Sequence, residues 1–83
     1  MRKTSDEMRD FLSSLLRPLV AHPDEVQVTS VERGGAVVLE VRVNKEDMGK
    51  VIGRGGRRAE ALRSLMKAQA LRLRSRVIVD ILD

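Results

Sequence analysis

Lys50-Val51-Ile52-Gly53-Arg54-Gly55-Gly56-Arg57-Arg58-Ala59, or KVIGRGGRRA, sets three glycines and four cations within ten residues. A segment of this kind can be an idle turn, a cradle for nucleotide phosphates or a clamp on a nucleic-acid backbone, and its flanks separate the three. Upstream, Val37, Leu39, Val41 and Val43 alternate with Val38, Glu40 and Arg42, the period-two, β-branched pattern of a strand. Asn44 then stands where it can cap a short helix, with Glu46 and Asp47 in the first turn, Met48, Val51 and Ile52 on the apolar side and Gly53 as its end. Downstream, Ala59, Leu62, Leu65, Met66, Ala70 and Leu73 recur at helical spacing in a segment of strong helix formers. Val77, Val79 and Ile81 alternate with Ile78 and Asp80 as a closing strand. The glycines therefore join two helices inside a β-α-α-β run.

That placement removes the nucleotide cradle. A Walker-type loop needs a Lys that reaches the terminal phosphates and a Ser or Thr that holds magnesium, and neither follows these glycines. A dinucleotide fingerprint starting Gly53-x-Gly55 would need a third glycine where Arg58 stands, and it would follow a strand instead of a helix. An idle turn remains possible for an isolated Gly-x-x-Gly, because glycine commonly sits just past a helix end. The Val51-Ile52 lead, the two helices and the cation cluster weigh against it.

Toward the N-terminus, Thr4 and Glu7 have capping-box spacing. Met8, Phe11, Leu12, Leu15, Leu16, Leu19 and Val20 follow as one apolar face, predicting a helix from about Ser5 to Val20. Pro18 offers no N–H to the Ser14 carbonyl, so a kink or an early stop is expected there. Pro23-Asp24 marks the exit turn, Val26, Val28 and Val31 suggest a first strand, and Gly34-Gly35 turns it back into the second as a hairpin. The order α-β-β-α-α-β predicts an α+β fold, a three-stranded sheet packed on three helices, in one domain over residues 1–83.

Composition agrees with a single small core held by apolar packing alone, since the chain of 83 residues has no cysteine for disulfides or thiolate metal ligation. No apolar run approaches bilayer length and no basic-then-apolar leader opens the chain, so a soluble cytoplasmic protein without a membrane role is expected. The formal charge of +4 is lopsided. Met1 to Met48 carry seven Lys or Arg against nine Asp or Glu, while Gly49 to Val79 carry nine cations against Glu60 alone. The basic half is the glycine-bearing half, which points to a polyanionic partner.

Other features have ordinary explanations. His22 is the only histidine, with no nucleophile or second ligand near it in sequence, and the pairs Asp6-Glu7 and Glu46-Asp47 sit where helix starts favour acids. No residues are left for catalysis, a metal or a cofactor. Arg72, Arg74 and Arg76 lie where a helix end favours cations. Phe11, the sole aromatic, points inward on its helix, so base-stacking platforms of the RRM, cold-shock or OB kind are excluded while an aliphatic groove is not. Val38 and Ile78 can share the outer face of the sheet, where a joined patch would mark a dimer surface.

Helix, Gly53-Arg54-Gly55-Gly56 and helix, embedded in β-α-α-β, resemble the KH domain, whose Gly-x-x-Gly loop clamps about four single-stranded nucleotides. The extra α-β unit ahead of that core resembles the type II arrangement found in bacteria. Glu46 to Arg57, the ending Val77-Ile78-Val79-Asp80-Ile81, and His22-Pro23-Asp24-Glu25-Val26 look like the small single-KH proteins of the KhpA family. The resemblance covers nearly the whole chain. It implies a non-enzymatic protein that binds single-stranded RNA and serves as an RNA chaperone or post-transcriptional regulator linked to cell elongation and envelope growth. It further implies a homodimer, or a heterodimer with a larger KhpB-type partner. On the residues themselves, glycines admit close backbone approach, Arg54, Arg57 and Arg58 add charge at a helix start, Lys50 lies within reach, and Ile52 and Leu62 are the candidates to line the groove. Two positions depart from the family pattern: Ala59, where a large aliphatic is common, predicts a shallower groove, and Gly55 predicts a looser turn. The competing expectation is an assembly module that acts mainly by holding a protein partner and binds RNA weakly. Single-stranded DNA is the rival ligand.

Overall fold

A computed structural model describes residues 3–83. Helix α1 runs Thr4–Leu16 and buries Met8, Leu12 and Leu16. It begins on an extended Lys3 with no side-chain cap, so Thr4 already lies inside the helix and the Thr4–Glu7 capping box is not made. The helix stops four residues short of Val20. Arg17–Leu19 tighten into a 3₁₀ turn around Pro18, the early stop that proline's missing N–H imposes.

Strands β1 (Gln27–Arg33) and β2 (Ala36–Arg42) form an antiparallel hairpin in the register Gln27↔Arg42 to Arg33↔Ala36. Gly34 (φ 55°) and Gly35 (φ 80°) make the two-residue turn whose positive φ values match the twist of the strands. Val26 falls outside β1 but is buried. Asn44 caps as expected, its side chain accepting from the Glu46 N–H at 2.8 Å, although what it caps is the 3₁₀ turn Lys45–Asp47 that leads into helix α2 (Met48–Ile52). Helix α3 spans Arg57–Arg72, and strand β3 (Val77–Ile81) returns parallel to β2 in the register Val37↔Val77 to Val41↔Ile81. The sheet order is β1-β2-β3, a mixed three-stranded sheet with three helices.

All three helices contribute to one core with the inner face of the sheet: Met8, Leu12 and Leu16, Val51, and Leu62, Met66 and Ala70 meet Val37, Leu39, Val41 and Val79. With no covalent staple available, this packing carries the fold, and truncating one of the fully buried leucines to alanine costs about 2–5 kcal/mol. One expected core residue is absent from it. Leu65 is 48% exposed. Taking about 100° per residue, it lies on the flank of the stripe formed by Ala59, Leu62, Met66 and Ala70, on the side no other element covers.

The opposite face of the sheet carries no helix. Val31, Val38 and Ile78 are register partners there and form one apolar row. Glu40 and Asp80 lie opposite each other in the next row. Ile78 is half exposed, while Val38, on the central strand, is shielded by its neighbours.

Candidate nucleic-acid interface

Helix α2 has only five residues, too few to persist alone, so its tertiary ties decide where the glycine turn sits. Val51 anchors it in the core. Asp47, fully buried at its start, accepts from the Ala21 N–H at 2.9 Å and the His22 N–H at 3.0 Å, with the Lys50 ammonium 3.5 Å away. Burial pushes the Asp47 carboxyl up, but the two backbone N–H groups, then Lys50 and His22, outweigh it and hold the group below its ordinary value. Asp47 is thus a pin between the connection after α1 and the start of α2. Its side chain makes no capping bond to that helix. His22 joins the same network, its ring 3.0 Å from a Glu46 carboxylate oxygen, a structural use of the only histidine.

At the far end of α2 the carbonyls are also taken up. The Gly53 N–H donates to Gly49 O at 2.9 Å, and the Arg58 guanidinium donates from Nη1 to Lys50 O at 2.7 Å. Gly53 (φ 77°) is required twice over, since a Cβ there would fall 2.6 Å from the Arg58 Cβ and 2.8 Å from its N. The turn closes with Gly56 N–H on Gly53 O at 3.1 Å. The Arg57 N–H donates back to Arg54 O, and Gly56 leads into the sixteen-residue helix α3 with no side-chain cap, so the start of that helix and its partial positive charge lie beside the turn.

The structure thus brings Lys50, Ile52, Gly53, Arg54, Gly55, Gly56, Arg57 and Arg58 to one corner. The side chains of Arg54 and Arg57 are exposed and make no hydrogen bond or ion pair among the described residues. Lys50 and Arg58 are engaged, the first with Asp47 and the second with the end of α2. A depression of about 380 Å³ opens below the turn, bordered by Ile52, Gly55, Gly56, Ala59, Arg63 and Ile81, with Met48, Glu60 and Asp83 also around it. Ile52, 38% exposed, lines it as expected, whereas Leu62 does not. Leu62 is 4% exposed because it belongs to the other side of the α3 stripe and packs into the core. Its place is taken by Ala59 and Arg63, four residues apart on the face of α3 that looks toward β3. The signal for that face was the four-residue spacing of Ala59, Arg63 and Lys67. Ala59 keeps the depression shallow. A larger hollow of about 680 Å³ lies at the opposite end of the sheet, by the β1–β2 turn and the start of α1, away from every cation of the glycine turn.

A β-α-(Gly-x-x-Gly)-α-β core with a leading α-β unit, its parallel β3 closing a three-stranded sheet, is a type II KH domain. Comparison with known proteins agrees with the architecture. The family model described as KhpA/KhpB, KH domain matches residues 9–81, and the chain belongs to that non-enzymatic family. The RNA-binding protein KhpA of Clostridium acetobutylicum is 45% identical over 75 residues, which span 90% of this chain and 100% of that protein. The RNA-binding protein KhpA of Leifsonia xyli is 49% identical over 72 residues, 87% of this chain and 92% of the relative. The RNA-binding protein KhpA of Aquifex aeolicus is 38% identical over 76 residues, 92% and 96% of the two chains. Among the described residues no helix is long and apolar enough to cross a membrane.

Proposed function

We propose that this domain binds single-stranded RNA, with the backbone clamped at Gly53 to Gly56 and bases lying in the aliphatic depression between α2, α3 and β3. The observation that carries the reading is the turn itself: the start of α3 without a side-chain cap, glycines that let a phosphate approach, and the unpaired side-chain charges of Arg54 and Arg57 all meet at one corner. The relatives' names favour RNA over single-stranded DNA. Lys50 and Arg58 contribute charge from positions held by Asp47 and α2, and Ile52 supplies apolar contact. A role as RNA chaperone or post-transcriptional regulator in the cytoplasm, tied to cell elongation and envelope growth, rests on family resemblance and belongs to the same proposal.

The decisive experiment replaces Arg54 and Gly55 with aspartates. A Cβ at Gly55 meets nothing within 4 Å, and aspartate tolerates its left-handed conformation better than most residues, so the fold is expected to survive. RNA affinity should fall below detection in a filter or anisotropy assay while the circular dichroism spectrum is unchanged. Wild-type affinity in this variant would remove the clamp.

A second reading, assembly with another copy or with a KhpB-type protein, is favoured by one observation. The Val31-Val38-Ile78 row lies on the helix-free face of the sheet, with Ile78 52% exposed. Light scattering across concentration discriminates: an Ile78→Lys variant that stays as associated as the wild type would count against this surface.

A further inference from the structure

The hollow of about 680 Å³ at the far end of the sheet lies where the start of α1, the β1–β2 turn and the segment after α3 meet. Lys3, Thr4 and Ser5 border it from α1, the stretch from Glu32 to Val37 borders it from the hairpin, and Ser75 completes it. Helix α1 has thirteen residues and no side-chain cap. Lys3 O accepts from the Asp6 and Glu7 N–H groups at 3.0 and 3.1 Å, which leaves the Thr4 and Ser5 N–H groups without a partner among the described residues. The positive end of the helix dipole therefore borders the hollow. Ser5 points to a ligand independently. It is only 8% exposed, and its hydroxyl makes no hydrogen bond among the described residues. Nor is that hydroxyl sealed away, since Gln69 Oε1 is the one fully enclosed side-chain polar atom without a partner among them, so it opens on the hollow that Ser5 borders. A hydroxyl withdrawn from water and given no partner destabilises the fold, and a ligand in the hollow would offset that cost.

Charge and donor chemistry say which ligand. Lys3 on the α1 side and Arg33 on the hairpin side are exposed, and neither side chain is ion-paired among the described residues. Glu32 is the one carboxylate on the rim. Gly34 and Gly35 have open space where a Cβ would stand, so their stretch of wall is bare backbone. Thr4 and Ser75 add hydroxyls, the latter held only by a 3.4 Å bond to Leu73 O. Two neighbouring N–H groups, hydroxyls from two elements and cations from two sides surround a tetrahedral oxyanion with three free oxygens better than a planar carboxylate with two. The hollow is larger than a bare phosphate requires, and no aromatic lies in it to stack a base. Hydroxyls and Glu32, which can accept from a ligand hydroxyl, suit a polar ester group in the remaining space.

We infer that this hollow binds a phosphate monoester, with the Thr4 and Ser5 N–H groups and the Ser5 hydroxyl donating to the phosphoryl oxygens and Lys3 and Arg33 balancing their charge. The site stands apart from the glycine turn and does not depend on the clamp.

The test titrates the full chain with inorganic phosphate and with glycerol 3-phosphate, following backbone amides by two-dimensional NMR against sodium chloride of equal ionic strength. The Thr4 and Ser5 amides should shift saturably with both probes, more tightly with the ester, and chloride should leave them in place. Ser5→Ala should weaken binding about fivefold and Arg33→Gln about tenfold. Because the Ser5 hydroxyl is unpartnered, Ser5→Ala should keep the wild-type urea midpoint, which separates a binding role from a structural one. Equal shifts with chloride would overturn the proposal as general screening. Wild-type affinity in Ser5→Ala would overturn it too, reducing the hollow to a diffuse positive field. Arg54→Asp/Gly55→Asp should bind glycerol 3-phosphate as the wild type does, and a loss there would mean that the probe reports the glycine turn instead. The source of the ester is read from tetrauridylate with and without a 5′-phosphate. Shifts at Thr4 and Ser5 with the phosphorylated oligomer alone, abolished by Ser5→Ala, would make it an RNA 5′ end; silence of both oligomers at these amides would make it a small phosphorylated molecule.

Discussion

At the residue scale, Gly53 and Arg74 show how backbone conformation and space combine. Gly53 needs both a positive φ and the absence of a Cβ, because Arg58 packs directly against it. Gly53→Ala is expected to lose about 3 kcal/mol of stability, while Gly55→Ala and Gly56→Ala, with open space around them, lose about 1 kcal/mol each. Equal urea midpoints for the three variants would refute the close approach. Arg74 is the opposite case. It holds φ 54° just past α3, where the Ser75 N–H reaches Ala70 O and the Arg74 N–H reaches Leu71 O, a helix-ending arrangement that favours glycine. Arg74→Gly should therefore raise stability by roughly 0.5–1 kcal/mol in urea denaturation, the relief of strain exceeding the added chain entropy. Arg74 was legible in the sequence as a helix-end cation; its strained backbone was not, since nothing local to an arginine announces a left-handed φ. The three glycines were legible as a turn, but the distinction between them came from Arg58, a contact made only when α3 folds back on α2.

Among the elements, α2 depends most on others. Its apolar residues and its glycine end were readable from Asn44 to Gly53, and so was the stop of α1 at Pro18, because capping residues, glycine and proline act locally. The function of Asp47 was not readable. An acid at a helix start suggests dipole complementation, yet this carboxylate turns away to bind Ala21 and His22, more than twenty residues earlier. Because its folded value lies below the unfolded 3.8, Asp47 contributes stability that is complete above that pH and is lost as pH falls through the lower folded value. Asp47→Asn should be less stable at neutral pH and should show a flatter acid limb in urea midpoints measured against pH. Parallel curves for wild type and variant would exclude the carboxylate as the source. Leu62 and Leu65 mark the limit of pattern reading along α3. Spacing of three and four placed both on one broad face, and only the neighbours decided that Leu62 enters the core and Leu65 stays half exposed.

For the molecule as a whole, the uneven charge is the property that the proposed RNA binding turns on. Clamping three or four phosphates of a single strand predicts a log–log salt slope of about −2 to −3 for a tetranucleotide, measured by anisotropy across salt concentrations. A slope near zero would mean that backbone contacts do not dominate. The order α-β-β-α-α-β, the three-stranded sheet, the two helices flanking the glycines and the basic second half were determined by the sequence alone, because periodicity, turn chemistry and charge are local or additive. The tertiary structure decided that Ala59 and Arg63, not Leu62, border the depression beside Ile52, that Asp47 pins the helix leading into the glycine turn, and that Val31, Val38 and Ile78 align in one row. Each of these joins residues far apart in the chain, and which side chains meet across such distances is settled by the packing of helix against sheet.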